Sequence, residues 1–220
     1  MVRESKSMAS DNLSSKRLGV LEVGFGNLPS LERVLSQINT RVEVVLTADE
    51  VLDVDYLIIP GVGSFSTAIQ YLKSTNLDIA VLTRSQKLNL PTLGICLGAQ
   101  VMMEIGYEGG KKSGLGIFRG SVESLSKVAD TNKSHTGWDK VLFSRDFLGV
   151  TKGSSVDVFF NHDYALVPAD TNEIMGTCNF SNEFAVALQK SNTYAVQFHP
   201  EKSQNTGLVM LRNFLGIQNV

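Results

Sequence analysis

The sequence predicts an α/β fold: a mostly parallel central sheet with helices on both faces, followed by a β-rich second half. Three observations carry this expectation. Over the first hundred residues, short apolar runs alternate with segments of helical periodicity, the pattern of βαβ units. Glycine-rich turns close three of those runs, at Gly24–Asn27, Gly61–Gly63 and Gly94–Gly98, where an open parallel sheet carries its functional groups. Past about residue 115 the apolar runs become hairpin-prone and a single helical segment closes the chain.

Taken in order, Arg17–Val23 (RLGVLEV) is a buried strand leading into the turn GFGN. Pro29 suits the first turn of a helix, where its missing N–H costs nothing. Leu31, Val34, Leu35 and Ile38 then follow at helical spacing. VEVVLT and YLIIP are the second and third strands, the third ending in GVGSF. STAIQYLKS and LDIAVLTRSQKL are helical, and TLGI is a strand that runs straight into Cys96. LGIFRGSVESL, DKVLF, VDVFFNHDYALV, EFAVALQ and TYAVQF supply the β-rich half, and GLVMLRNFL is the last helix.

At 220 residues the chain is long enough to bury a substantial core. Residues 1–16 are Ser-rich and polar and are expected to form a flexible tail, with residues 17–220 as one domain. The formal net charge of -2 argues against an electrostatic nucleic-acid binder. No apolar run approaches the roughly 18–20 residues that span a bilayer, and the opening lacks the apolar stretch of a signal peptide. Cys96 and Cys178 form no CxxC pair, and three scattered histidines offer no clustered zinc ligands, so neither a metal nor another cofactor is expected. Free thiols in a reducing, cytoplasmic compartment fit this usage.

Two motifs fail on inspection. GFGNLP opens like a dinucleotide fingerprint, but Pro29 stands at the third glycine position. GGKKSG lacks the Gly-Lys-Ser/Thr of a phosphate loop. A third motif is better formed. In GICLG, Gly94 to Gly98, a strand ends, turns sharply and starts a helix with Cys96 on the turn, the thiol version of a nucleophile elbow. A helix N-terminus favours the thiolate, and the Leu97 N–H is placed to meet an oxyanion. In AVQFHPEKS, alternation along an extended segment sets Gln197, His199 and Glu201 on one face. Glu201 can then orient the His199 ring while its other nitrogen faces the thiol.

GICLGAQ together with QFHPEKS resembles the class I (triad) glutamine amidotransferases. Within that class GNLPSL, LIIPGVGSF, GLGIF, GWDKV and QFHPEKSQNTGLVMLRNFL are similar to the glutaminase subunit of imidazole glycerol phosphate synthase, from about Arg17 to the C-terminus. The resemblance implies an enzyme with a Cys96, His199 and Glu201 triad that releases ammonia from L-glutamine through a cysteine thioester. It implies an oxyanion hole from the backbone N–H groups of Leu97 and of the PGVG turn near Val62. It implies a glutamine pocket that includes Gly61, Gly63, Gln100 and Glu108, with Glu104 as the alternative acid.

The same resemblance implies a partner, a (β/α)₈-barrel cyclase forming a heterodimer with this chain. That cyclase uses the ammonia to convert phosphoribulosyl-formimino aminoimidazole carboxamide ribotide (PRFAR) into imidazole glycerol phosphate and an aminoimidazole carboxamide ribotide in histidine biosynthesis. Asn27, Trp138 and Lys202 occupy motif positions near that interface, with core packing the alternative for Trp138. His162 matches a His-x-Tyr motif of the family and is expected to be structural, His135 to be a loop residue, and Cys178 a buried small hydrophobe. Departures from the family pattern, EVGFGN at Glu22–Asn27 and HTGWD at His135–Asp139, lie toward the partner rather than the triad. The rival readings are a paralogous glutaminase feeding another synthase, such as a surface-sugar amidotransferase, a non-catalytic scaffold subunit and a free-standing thiol hydrolase.

Overall fold

The structure is a computed structural model that describes residues 16–22, 28–38 and 40–217. Residues 1–15 of the expected tail, and Asn27 with the turn around it, lie outside the described residues.

The chain begins β1 (Leu18–Leu21), α1 (Leu28–Ser36), β2 (Val42–Val45), α2 (Ala48–Asp53), β3 (Tyr56–Ile59) and α3 (Phe65–Ser74). It continues through α4 (Leu77–Leu82), which runs on as a π-turn over Thr83–Lys87, then β4 (Thr92–Ile95), α5 (Leu97–Val101), β5 (Met103–Gly106), β6 (Lys112–Ser113), β7 (Phe118–Ser124) and α6 (Leu125–Val128). The rest is β8 (His135–Phe143), β9 (Ser155–His162), β10 (Tyr164–Pro168), β11 (Ile174–Phe180), β12 (Asn182–Lys190), β13 (Thr193–Val196) and α7 (Gln204–Phe214).

One sheet runs in the order β2-β1-β3-β4-β13-β12-β10-β7-β5-β6, with β11, β8 and β9 branching from β12. Its first five strands are parallel. The fifth, β13, comes from the far end of the chain and lies in register beside β4, Val196 opposite Ile95. Two residues that follow these strands, Cys96 and His199, therefore emerge at the same carboxyl-terminal end of the sheet. The central strands are apolar throughout because both faces are covered. In β3, Leu57 and Ile59 enter the core under α2 to α4, while Ile58 enters the core shared with α1 and α7.

Three elements escaped the periodicity reading. Helix α2 is short, and its sequence signal is the capping box in which Thr47 and Glu50 bond each other's backbone N–H. The helix after Cys96 stops at Val101 because the chain turns back to form β5, so it is shorter than GAQVMME suggests. The stretch VDVFFNHDYALV breaks at Asp163 into two strands, β9 and β10. Arg84, in the π-turn, is fully buried. Its guanidinium donates to the carbonyls of Val51, Val54, Asp55 and Pro91 at 2.6–3.1 Å, tying α2 to the starts of β3 and β4. No described helix is long and apolar enough to cross a membrane.

Candidate active site

Cys96 sits between β4 and α5 at φ 53° and ψ -109°. A non-glycine residue with that backbone is strained, and such strain clusters at functional sites. The flanking glycines are required by contact. A Cβ on Gly98 would lie 1.8 Å from the Ile59 carbonyl oxygen, and one on Gly94 would lie 2.8 Å from the Gly98 carbonyl and the Ala99 nitrogen. Only hydrogen fits where α5 starts this close to β3 and β4. The Cys96 N–H donates to the Val196 carbonyl at 2.8 Å, fastening the elbow to β13.

His199 follows β13 with extended backbone, its own N–H held by the Phe159 carbonyl at 2.8 Å. Strand alternation does not carry on to Glu201, as β13 ends at Val196 and Pro200–Lys202 form a 3₁₀ turn. The turn nevertheless brings the Glu201 carboxylate to 2.7 Å from His199 Nδ1. Both side chains are almost wholly buried. Nδ1–H donates to the carboxylate, which leaves the buried Nε2 on the side of the thiol, without a standard hydrogen bond. Burial pulls the His199 pKa down, but hydrogen bonding and charge from Cys96 and then Glu201 outweigh it and raise it to about 9. Gln197, also wholly buried, points its amide at Cys96 Sγ at 3.7 Å.

A cavity of about 290 Å³ opens over the thiol, near the lower end of the range for small-ligand sites (roughly 300–1,000 Å³). Of the expected residues, Val62, Gly63, Cys96, Leu97, Gln100 and Glu108 line it. Glu108 is anchored by the Phe65 N–H at 2.6 Å, at the start of α3. Gln100 donates to the Tyr164 carbonyl at 3.0 Å and to Gln197 at 3.2 Å. Glu104 accepts from the Gly120 N–H at 3.3 Å and is absent from the lining. Gly61 does not line the cavity; its carbonyl oxygen accepts the Leu97 N–H at 3.4 Å. The opposite wall, Ser134 and Asn161–Tyr164, was not anticipated apart from the His162 motif. Those residues share no local pattern and line the cavity only because the start of β8 and the β9–β10 turn fold back beside the thiol.

A thiol on a strained turn, a carboxylate-oriented imidazole and a small polar cavity are the parts of a cysteine-based acyl transfer site. The family described as glutamine amidotransferase class-I matches residues 20–217. The chain belongs to this family.

Among relatives of this glutamine amidotransferase is the imidazole glycerol phosphate synthase subunit HisH of Moorella thermoacetica, 36% identical over 90% of this chain and 93% of that one. Another is the chloroplastic imidazole glycerol phosphate synthase hisHF of Arabidopsis thaliana, 34% identical over 96% of this chain but only 36% of that longer protein. The fold is shared with a solved glutamine amidotransferase (TM-score 0.72, 18% identity, 91% of this chain and 97% of the other). It is shared equally with a chain of PurLQS from Thermotoga maritima (TM-score 0.72, 15% identity, 91% and 98%).

The amidotransferase carries an aromatic and cationic cluster close to the triad. Trp138 is 49% exposed, so it is a surface residue and not the core residue weighed as the alternative. Its ring meets Phe159 edge-on at 6.1 Å, and the Lys202 ammonium lies 5.5 Å from the Phe159 ring. Because Phe159 also holds His199 through its carbonyl, this face is continuous with the triad.

Proposed function

We propose that this amidotransferase is the glutaminase subunit of an imidazole glycerol phosphate synthase, hydrolysing L-glutamine at Cys96 and passing ammonia to a barrel-shaped cyclase. The observation that carries the chemistry is the meeting of Cys96 and His199 at adjoining strand ends, with Glu201 2.7 Å from the imidazole. The similarity to the HisH subunits along most of both chains favours the acceptor.

The Cys96 proton passes to His199 Nε2, giving a thiolate and imidazolium, and Glu201 holds the ring and stabilises its charge. Sγ attacks the carboxamide carbon, forming the C–S bond and moving the carbonyl π electrons onto oxygen. Collapse breaks the C–N bond as Nε2–H protonates the leaving nitrogen, releasing ammonia and leaving a glutamyl thioester. Water then gives a proton to Nε2 and attacks, and breaking the C–S bond returns the thiol and releases glutamate. Gln100, Gly63 and Glu108 hold the amino acid, Glu108 opposing its ammonium.

The oxyanion needs the N–H groups of Leu97 and Val62. Leu97 N–H is engaged with the Gly61 carbonyl. The planar trans Gly61–Val62 peptide points its N–H opposite to that carbonyl. Rotation of this one peptide would free the first donor and deliver the second, and docking of the partner is the event that drives it. Trp138 and Lys202 form the docking face in this reading, and residues 17–220 act as one cytoplasmic domain with both cysteines unpaired.

The test is glutamate release by this chain with a barrel cyclase and PRFAR, and Cys96→Ala as control. Activity needing both the partner and Cys96 supports the reading. No activity, with Cys96 still alkylated by a glutamine-mimicking electrophile, keeps the glutaminase and assigns its ammonia to another synthase.

A further inference from the structure

The structure assembles a second cluster of ligand-bearing groups outside the triad. His135 opens strand β8 and is not the loop residue expected; it is buried, as is Cys178 on the neighbouring β11. Asp139 lies four residues along β8. An extended strand would separate such residues by about 13 Å, yet His135 Nε2 and Asp139 Oδ2 are 3.2 Å apart. Gly137 lies between them at φ 124°, and the strand coils there without losing register with β9. Cys178 pairs with Val141 across the β8–β11 ladder, which brings its thiol to the same point. One ligand atom from each of the three residues lies within 4.8 Å of the others.

The hydrogen bonds around the cluster aim its donor atoms. The Tyr164 carbonyl can only accept, so His162 Nδ1, 2.8 Å away, carries a hydrogen. For His135 to offer a lone pair at Nε2, its hydrogen sits on Nδ1, and His162 Nε2 lies 3.1 Å away to accept it. His135 Nε2 then faces Asp139 Oδ2.

We propose that His135 Nε2, Asp139 Oδ2 and Cys178 Sγ form a transition-metal site that fits zinc. Nitrogen, oxygen and sulfur donors together suit that borderline ion. Tetrahedral zinc bonds would set the ligand atoms about 3.3–3.6 Å apart, so the His–Asp pair is already in place and Cys178 closes a short remaining gap. The surroundings are those of an oriented site. The imidazole is stacked between Phe160 and Phe180, at 4.1 and 4.2 Å between centroids. Its Nδ1–H is held by His162, and Asp139 Oδ1 accepts the Lys140 N–H at 2.7 Å, leaving Oδ2 to the ion. Binding breaks the Cys178 S–H bond, forms the metal–sulfur bond and releases one proton to solvent. Three protein ligands leave the fourth position to water. Because His162 lines the cavity over Cys96, a bound ion would fix that wall through His135. The assignment does not depend on the acceptor proposed above.

The full chain, freed of metal with a chelator, is titrated with Co²⁺ and then Zn²⁺. Expected is a thiolate-to-cobalt charge-transfer band that one equivalent of Zn²⁺ displaces, with a rise in Tm. Cys178→Ser abolishes the band, Cys96→Ser keeps it, and Asp139→Asn weakens binding about 10-fold or more. Asp139 is partly exposed, so that variant keeps the test decisive where Cys178→Ser fails to fold. The proposal is overturned by a chain that binds neither ion, or by a band that survives Cys178→Ser and vanishes with Cys96→Ser, which would place the metal on the nucleophile.

Discussion

The Gly61 carbonyl oxygen accepts the Leu97 N–H at 3.4 Å, so the first amide after Cys96 is occupied by the chain's own backbone. An oxyanion formed at Cys96 would meet a carbonyl dipole where it needs a donor. The isolated chain is therefore expected to be a poor glutaminase. Losing one oxyanion donor costs about 10²–10³ in rate, and the partner with its acceptor substrate should restore at least that factor. Steady-state glutamate release with and without the partner measures it; equal rates would refute the closed-hole reading.

Stability should peak near pH 6.5, because two histidines titrate in opposite senses. The folded pKa of His199, about 9, lies above its unfolded value. Its contribution is complete below pH 6.5 and is lost as pH rises through 9. The folded pKa of His162, about 3, lies below, so its contribution is complete above pH 6.5 and is lost as pH falls toward 3. Each arm is about 3–5 kcal/mol. Urea unfolding across the range should show His199→Asn flattening only the alkaline arm and His162→Asn only the acid arm.

Gly98→Ala should abolish activity and cost more than the ~1–3 kcal/mol typical of overpacking. The new methyl would fall 1.8 Å from the Ile59 carbonyl, a backbone atom of β3 that cannot yield. Thermal unfolding of the variant decides the point, and an unchanged Tm would contradict the packing described.

Removing the Arg84 side chain takes a donor from four carbonyls, of which that of Pro91 keeps the Leu57 N–H at 3.0 Å. Arg84→Ala should cost at least about 3 kcal/mol. Arg84→Lys should recover little, since an ammonium cannot reproduce the planar fork. Urea midpoints of the three proteins provide the comparison.

Trp138→Ala should leave stability within about 0.5 kcal/mol, as befits an exposed side chain. If Trp138 is an aromatic anchor of the proposed docking face, the variant's affinity for the cyclase should fall about 30-fold. Calorimetric titration of the partner into wild type and variant separates the two effects.

The elements that were legible in the sequence are those whose signal is local. The alternation of β1 to β4 with helices and the GICLG elbow rest on neighbours a few residues apart. The His199–Glu201 contact was also legible, although a 3₁₀ turn rather than strand alternation makes it. Helix α2 went unread because six residues are too few for periodicity, though its capping box was present. Of the far wall of the cavity, Ser134, Asn161 and Asp163 had no such signal, while His162 was marked only by its motif.

The sequence by itself determined that this is an α/β protein with a thiol raised on a glycine-flanked bend and an imidazole followed two residues later by a carboxylate. Only the tertiary structure decided that these meet, by sliding β13 into register beside β4 across about a hundred residues of chain. It also decided that the Gly61 carbonyl covers the Leu97 amide, and that His135, Asp139 and Cys178 share one point. Local periodicity sets which face of an element is buried. Which distant strand lies alongside, and which way one peptide plane turns, are settled by packing that no short window of sequence contains.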